Sequence, residues 1–242
     1  MNATARALVD AARTLAAAVD RLRFTRPVAY VYNPLDYARA AHERYLERFV
    51  DGPRAVLLLG MNPGPFGMAQ TGVPFGEVSY VRDWMGILEP VGKPPREHKK
   101  RPIDGFSCAR REVSGARLWG AFARRFPDAR DFFAERFVAN YCPLVFMDEG
   151  GRNVTPDKLA RGERVALEVA CDAHLSAVVD VLEPSLVLGV GAWAARRCAL
   201  VVGVRARVAT LPHPSPASPA ANAGWEQLAR RVLVAQGIEP FL

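Results

Sequence analysis

The sequence predicts an α/β fold, a three-layer α/β/α sandwich around a central, mainly parallel sheet of four strands. Two observations carry this prediction: four short apolar runs rich in Val or Leu, and patterns typical of amphipathic helices between them. The chain also has no repeat and no low-complexity linker, so we expect a single domain over residues 1–242.

The four apolar runs are the predicted strands. The first and third are continuous rather than alternating, which is typical of strands that are buried on both faces of a parallel sheet. The runs are AVLLL (55–59), RFVANYCPLVF (136–146), SLVLGVG (185–191) and VRARVATLP (204–212).

Helical patterns lie before and between these runs. The N-terminal segment 1–27 is rich in Ala but interrupted by charges such as Asp10 and Arg13, which predicts an amphipathic helix rather than a signal peptide. Ser114 is the expected N-cap of a helix over 114–126. The remaining predicted helices cover 35–50, 163–182 before Pro184, and 224–237, which ends on Gly237.

Composition narrows the class of protein. The 242 residues are 50% hydrophobic and 24% charged, as in an ordinary globular protein, and no apolar run is long enough to cross a bilayer. We therefore expect a cytosolic protein without a membrane partner. Four separated cysteines without a C-x-x-C pair argue against zinc or iron–sulfur sites and favour free thiols, so we expect no metal and no cofactor.

The charge balance favours a polyanionic partner without requiring one. The net charge is +7, the pI is about 9.6, and the densest basic cluster is KPPREHKKRP (93–102). Its three prolines predict a loop. Composition leaves open whether this loop is merely solvated or contacts phosphate.

The loop GMNPGPFGMAQTGVPFG (60–76) is rich in glycine, but it does not match a phosphate-binding loop. It lacks the Lys of a P-loop, and Pro63 and Pro65 remove backbone N–H donors where a phosphate cradle needs them. Prolines also stiffen the loop. We therefore predict a rigid pocket for a flat ligand, with Phe75 as a stacking face and Asn62 as an amide donor and acceptor.

Two more polar positions follow predicted strands. Ligands of open α/β sheets bind beyond the carboxyl ends of the strands, where the 60–76 loop, Asn140 and His213 would meet. His213 is flanked by Pro212 and Pro214, which place it rigidly. The residues alone leave open whether Asn140 is a structural amide or recognises a ligand. The other histidines, at positions 42, 98 and 174, are expected to be structural or on the surface.

These motifs resemble the SMUG-type uracil-DNA glycosylases, the single-strand-selective monofunctional branch of the uracil-DNA glycosylase superfamily, and we expect a bacterial member. The resemblance covers roughly residues 28–242. It rests on the 60–76 loop and on HPSP…NxGW, together with VRDWMGI (81–87), EVSGARLWG (112–120), NYCPLVFM (140–147) and GRNVTP (151–156).

The resemblance implies an enzyme of base excision repair that flips uracil, and 5-substituted uracils such as 5-hydroxymethyluracil, out of DNA and excises them hydrolytically, leaving an abasic site. Its catalytic residues would be Asn62, which positions the attacking water, and His213, which donates to uracil O2. The residues that bind the base would be Met61 through its backbone, Phe75 by stacking, Asn140 on the Watson–Crick edge, and Gly64 and Met68 beside C5.

The resemblance also implies single- and double-stranded DNA as the partner, and no obligate protein partner is inferred. A wedge segment, PSPASPAANAGW (214–225), would fill the gap left by the flipped base. Ala217 and Ala223 stand where vertebrate members carry basic residues, and Ser218 stands where they carry Asn, so we expect a shorter, less charged wedge. The expected DNA contacts are Gly151, Arg152, Asn153, Lys158, Ser215, Pro216, Ala217 and Ser218.

Chemistry adds two expectations. Asn62 cannot titrate, so it cannot be a strong general base, and no lysine lies in the pocket segments, which argues against a Schiff-base lyase. The resemblance also implies slower turnover than in the better-known uracil glycosylases, because no Asp stands beside Asn62. Two alternatives remain open: a glycosylase of the same fold that acts on deaminated purines such as hypoxanthine or xanthine, and a non-catalytic module that binds DNA or nucleotides.

Overall fold

The computed structural model describes residues 1–238. The strands are β1 (Tyr30–Tyr32), β2 (Val56–Gly60), β3 (Arg136–Asn140), β4 (Val145–Met147), β5 (Asn153–Val154), β6 (Leu186–Val190) and β7 (Arg207–Leu211). The α-helices are α1 (Ala3–Asp20), α2 (Pro34–Tyr37), α3 (Arg39–Phe49), α4 (Met68–Thr71), α5 (Val113–Arg125), α6 (Ala129–Phe133), α7 (Arg161–Leu182), α8 (Ala192–Val202), α9 (Pro219–Asn222) and α10 (Trp225–Ala235).

The predicted four-stranded parallel sheet is confirmed. Its strand order is β3-β2-β6-β7, and every neighbouring pair is parallel. Strands β2, β3 and β6 are buried at every position but the first, because helices flank the sheet. Gly60 pairs with Asn140 in the register, so two of the predicted site segments leave the sheet side by side.

A second sheet was not predicted. Strands β1, β4 and β5 form a three-stranded antiparallel sheet in the order β1-β4-β5. The predicted strand 136–146 is therefore wrong as one element: β3 ends at Asn140, and the apolar residues from Val145 onward belong to β4. Two- and three-residue strands leave almost no periodicity in the sequence, which explains why β1 and β5 were missed.

Helix boundaries differ from the predictions in two places. Helix α5 begins at Val113, and its N-cap is Glu112 rather than Ser114, since the Glu112 carboxylate accepts the N–H groups of Ser114 and Gly115. The helix predicted over 35–50 is divided at Ala38 into α2 and α3. The C-terminal stop at Gly237 holds: α10 ends at Ala235, and Gly237 has a φ of 66°.

An aromatic cluster packs beneath the site and hydrogen-bonds to the segments that carry it. Phe49 stacks on Phe133 with ring centroids 4.1 Å apart. The hydroxyl of buried Tyr45 donates to the Val138 carbonyl at 2.9 Å, and buried Trp119 donates from Nε1 to the Pro74 carbonyl at 3.3 Å. The core thus contacts both β3 and the 60–76 loop directly.

The described residues also bear on three further questions: a membrane span, disulfides and a metal site. No helix within residues 1–238 combines the length and apolarity that a membrane span requires. The four cysteines are free and buried. In the same residues, no three His, Cys, Asp or Glu side chains are grouped so that they could hold a metal ion.

Candidate active site

A cleft of about 380 Å³ lies at the carboxyl ends of the parallel strands. Asn62 follows β2, Asn140 ends β3, and His213 lies just beyond β7. The lining residues are Met61, Asn62, Pro63, Gly64, Gly67, Met68, Phe75, Glu112, Ser114, Asn140, Asn153, Thr155, His213 and Ser215. Every residue that was predicted to act on or bind the base is in this set.

The amide of Asn62 has a fixed orientation. Its Nδ2 donates to the carbonyl of Pro63 at 3.3 Å and to that of Leu144 at 3.2 Å. Both donors of the side chain are therefore used on the protein, and the acceptor Oδ1 remains for a water molecule or ligand. The neighbouring Met61 carbonyl accepts the N–H of Cys142 at 2.9 Å, which ties the start of this loop to the end of β3.

Phe75 holds an unusual backbone conformation. Its φ is 53°, in the left-handed region that non-glycine residues rarely adopt. The N-terminal turn of α5 packs against it so tightly that a Cβ on Gly115 would lie 1.9 Å from the Phe75 carbonyl oxygen. The Phe75 carbonyl accepts the N–H of Glu77 at 2.7 Å. Surrounding packing thus stabilises a strained residue whose ring lines the cleft.

Two glycines of the 60–76 loop have different roles. A Cβ on Gly60 would lie 2.3 Å from Asn140 Oδ1 and 2.7 Å from the Phe75 ring, so this position needs a glycine for space. Gly60 is also the last residue of β2, so its backbone belongs to the strand. A Cβ on Gly64 would meet nothing within 4 Å, so Gly64 leaves open space at the cleft.

Asn140 is buried, with 8% of its surface exposed. Its Nδ2 donates to the sulfur of Met68 at 3.3 Å, and Oδ1 lies beside Gly60. Within residues 1–238 the amide makes no other hydrogen bond. A buried amide with unused donor and acceptor capacity at a cleft is suited to bind a polar edge of a ligand.

His213 has a fixed tautomer. The N–H of Ser215 donates to its Nδ1 at 3.0 Å, so a neutral ring carries its proton on Nε2. Burial lowers the pKa of His213 below its ordinary value, which keeps the ring neutral at pH 7. The ring centroid lies 6.2 Å from that of Phe75. The cleft therefore contains an aromatic face and a single imidazole N–H donor.

Arg117, on α5, holds the segment after β7 and was not singled out from the sequence. Its Nη1 donates to the carbonyls of Pro214 at 3.0 Å and Ser215 at 3.2 Å, and its Nη2 donates to Asn222 Oδ1 at 2.7 Å. Asn222 in turn donates to the Pro216 carbonyl at 2.9 Å. One guanidinium thus fixes the two ends of the exposed part of the wedge segment.

Glu112 is a second residue that sequence reasoning missed. Its carboxylate lines the cleft and caps α5, and burial raises the pKa of this carboxyl. A Cβ on Gly67 would lie 2.9 Å from Glu112 Cγ, so the side chain also packs against the 60–76 loop. The available signal was its place just before an amphipathic helix, where an N-cap belongs.

Of the predicted DNA contacts, only Asn153 and Ser215 line the cleft; the others belong to the segments 151–158 and 215–218 around these two residues, which we call the rim. Arg152 is exposed and pairs with Asp148 at 3.4 Å. Gly151 is buried with a φ of 78°. The others lie outside the cleft lining: Lys158, Pro216 and Ala217 are exposed, and Ser218 caps α9 by accepting the N–H of Ala221.

The basic loop 93–102 supports this rim. Buried His98 contacts the carbonyl of Glu149 through Nε2 at 3.1 Å, and Arg101 donates to the Gly151 carbonyl at 2.9 Å. A Cβ on Gly151 would lie 2.7 Å from the His98 ring. The loop is therefore more than a solvated segment, because it holds the turn that precedes Asn153.

The other two histidines lie behind the cleft and line a small cavity of about 30 Å³ that also reaches Asn140. His42 contacts the Gly72 carbonyl at 2.8 Å. Burial lowers the pKa of His42, and it lowers the pKa of His174 to about 4. Both side chains are packed between helices, in agreement with a structural role.

Comparison with known proteins gives a consistent result. The family model described as Uracil DNA glycosylase superfamily matches residues 48–232. The protein named single-strand selective monofunctional uracil DNA glycosylase from Mus musculus is 49% identical over 231 residues, covering 94% of this chain and 83% of the relative. The Rattus norvegicus protein of that name is 50% identical with the same coverage, and the Bos taurus protein is 49% identical over 92% of this chain and 83% of the relative.

A solved structure agrees at the level of the fold. The crystal structure of wild-type SMUG2 from Pedobacter heparinus matches with a TM-score of 0.64 and 17% sequence identity. The match covers 94% of this chain and 97% of that chain. At this identity the likeness concerns the architecture alone.

Proposed function

The chain belongs to the uracil DNA glycosylase superfamily, and from that premise we propose that it is a monofunctional glycosylase that excises uracil from DNA and leaves an abasic site. One observation carries the proposal: His213 presents an Nε2–H donor in the cleft that also holds the Phe75 ring and the unsatisfied amide of Asn140. These are the groups that a uracil ring needs in order to be stacked, recognised and stabilised as an anion.

Base recognition follows from two groups that line the cleft, the Phe75 ring and the Asn140 amide. A base inside a duplex is inaccessible, so it must be flipped out of the stack, which costs a few kcal/mol and less in a single strand. Phe75 stacks on the flipped ring. The Asn140 amide offers both an acceptor and a donor, which match the N3–H and O4 of uracil.

Bond cleavage places charge on both products. When the bond between C1′ and N1 breaks, its electrons stay on the base and the sugar becomes cation-like. His213 donates to O2 of the departing uracil anion, and removal of one such donor typically costs about 10²–10³ in rate. Asn62 Oδ1 accepts a hydrogen bond from a water whose oxygen bonds to C1′, and that water's proton passes to solvent or to the uracil anion.

Hydrolysis rather than lyase chemistry is supported by the lining of the cleft. A lyase needs an amine that forms a Schiff base with C1′. The cleft's lining, all of it within the described residues, includes no lysine. The enzyme is therefore monofunctional.

The partner is uracil-containing DNA, in single strands and in duplexes. The mammalian relatives carry single-strand selectivity in their names, and the lower cost of flipping in a single strand supports the same preference here. The free, buried cysteines agree with a reducing cytosol. The assignment to bacteria stays a prediction.

An excision assay on a panel of oligonucleotides tests the proposal. Strands with one uracil, 5-hydroxymethyluracil, hypoxanthine or xanthine are incubated with the protein and cleaved with alkali, which reveals abasic sites. We expect product from uracil and no cleavage without alkali. Release of the purines alone would favour the deaminated-purine alternative, and binding without release would favour the non-catalytic one.

A substitution at Gly64 tests whether the open space there accommodates a substituent on C5 of the base. A Gly64→Tyr variant places a ring in space that holds no other atom within 4 Å of a Cβ. Release of 5-hydroxymethyluracil is expected to fall about tenfold more than release of uracil, because one or two extra heavy atoms then collide with the new ring. Gly64→Ala is the control and should change neither rate by more than about twofold. An equal loss for both bases would contradict this pocket.

A further inference from the structure

The contact between Asn140 and Met68 bears on how uracil is distinguished from cytosine. Asn140 Nδ2 lies 3.3 Å from the Met68 sulfur, and both side chains are buried, with 8% and 3% of their surfaces exposed. A primary amide has nearly the same shape after a 180° rotation, which exchanges its oxygen and nitrogen. Which of the two orientations is held decides which base edge the amide can pair with.

The two pyrimidines present opposite edges. Uracil has a donor at N3 and an acceptor at O4, whereas cytosine has an acceptor at N3 and a donor at N4. An amide with Oδ1 towards N3 and Nδ2 towards position 4 pairs with uracil. The rotated amide pairs with cytosine, so Asn140 discriminates between the bases only if its rotation is prevented.

The thioether of Met68 favours one orientation. Its sulfur accepts hydrogen bonds weakly and cannot donate them, so it stabilises the amide NH₂ beside it and repels an amide oxygen there. On the other side, Oδ1 lies next to Gly60, which has no side chain to donate or accept. An NH₂ group has two hydrogens, so one can remain on the sulfur while the other reaches O4 of the base.

We propose that Met68 is a specificity-determining positioning residue: its sulfur holds the Asn140 amide in the orientation that pairs with uracil and thereby disfavours cytosine. This inference rests on the proposed function, and it goes beyond it because Met68 acts through Asn140 rather than on the base. Met68 is well placed for this task, since it opens α4 and its carbonyl accepts the N–H of Gly72 at 2.8 Å.

Met68→Leu removes the acceptor and keeps the volume, and Met147→Leu, at a buried methionine on β4, is the matched control. The probes are single-stranded oligonucleotides with one 2′-fluoro-deoxyuridine or 2′-fluoro-deoxycytidine, whose fluorine destabilises the cationic sugar and prevents cleavage. Met68→Leu should lower the ratio of uracil to cytosine affinity about 3- to 10-fold, as for loss of one neutral hydrogen bond. An unchanged ratio would overturn the proposal.

A double mutant separates this role from simple space filling. In an Asn140→Ala background, Met68→Leu should no longer alter the ratio, because there is no amide to orient. A persisting change would show that Met68 acts on the base by shape and would overturn the proposal.

A measurement on the free protein is independent of activity. The side-chain amide NMR signals of Asn140 should shift in Met68→Leu and not in Met147→Leu, and identical signals in all three proteins would overturn the proposal. If the wild type released no uracil, the proposed function would fail, while these signals would still decide whether sulfur orients the amide.

Discussion

Two buried amides, Gln70 within the 60–76 loop and Asn140 in the cleft, use their hydrogen-bonding capacity in opposite ways. Gln70 donates from Nε2 to the carbonyls of two prolines, at 3.0 and 2.9 Å, and accepts two backbone N–H groups at Oε1, at 2.8 and 3.0 Å. The Asn140 side chain makes one hydrogen bond within the described part of the chain, to a sulfur. The donors and the acceptor of the Gln70 amide are all used, whereas the Asn140 amide keeps hydrogen-bonding capacity for the cleft. We call groups of the first kind complete and groups of the second kind open.

The same division holds elsewhere in the site. Glu112 and Arg117 have their polar atoms engaged by backbone and side-chain partners, and they hold other residues in place. Asn62 keeps Oδ1, and His213 keeps Nε2–H, for the cleft. Open groups should therefore affect activity and complete groups should affect stability or loop geometry. Sequence alone left the role of Asn140 undecided; its incomplete hydrogen bonding favours ligand recognition, which stays a prediction.

The largest effect is expected at His213, an open group. His213→Leu removes the imidazole Nε2–H donor from the cleft, so kcat on uracil should fall about 10²–10³-fold. Its thermal unfolding temperature should stay within a few degrees of wild type, because only the Ser215 N–H loses a partner. Single-turnover kinetics and circular dichroism measure the two quantities. Undiminished activity would remove His213 from the mechanism.

The next effect compares the two amides directly. Asn140→Leu should lower kcat/KM for uracil at least about tenfold and leave stability nearly unchanged, since one hydrogen bond to sulfur is lost. Gln70→Leu should lower the free energy of unfolding by about 2–3 kcal/mol, because four backbone groups lose their partner. Urea denaturation beside kinetic assays tests the pair. A loss of stability in Asn140→Leu, together with unchanged stability in Gln70→Leu, would contradict the comparison.

A smaller effect is expected at Arg117. Lysine cannot donate to two carbonyls and to Asn222 at once, so Arg117→Lys should loosen the wedge segment and lower kcat/KM on duplex substrate about 3- to 10-fold. Single-stranded substrate should be affected less, since it needs no wedge. Arg111→Lys, at an exposed arginine two residues before the start of α5, is the control. Equal losses on both substrates would argue against the wedge role.

The smallest effect is expected on the rim. Arg152 is exposed and, within residues 1–238, pairs only with Asp148, so Arg152→Ala should weaken DNA binding about twofold at physiological salt. If it contacts a phosphate, the slope of log affinity against log salt should decrease in magnitude by about one. Fluorescence anisotropy at several salt concentrations provides this slope. An unchanged slope would show that Arg152 does not meet the DNA backbone.

Much of this architecture was predictable because its signals are local. Continuous Val- and Leu-rich runs identify strands buried on both faces, and polar residues immediately after them identify the edge of the sheet where ligands bind. Asn62, Asn140 and His213 were found in this way. Proline also argued against a phosphate cradle, because it lacks the N–H that phosphate would need.

The parts that were missed depend on contacts between distant segments. Nothing near Arg117 in the sequence indicates that it donates to the carbonyls of Pro214 and Ser215. The role of Gly60 in making room for Asn140 and Phe75 becomes visible only once β2 and β3 are paired. The second sheet was missed because its short strands are defined by their partners rather than by a pattern.

The strand order has a consequence for synthesis of the chain. Strands β2, β3 and β6 are adjacent in the sheet and are made before β7, whereas His213 and its supports Arg117 and Asn222 meet only after β7 has joined the edge. A nascent chain can therefore assemble the stacking ring and the amides before it has the donor that releases the base. Because a chain is synthesised from its N-terminus, Asn62, Phe75 and Asn140 leave the ribosome before His213 does.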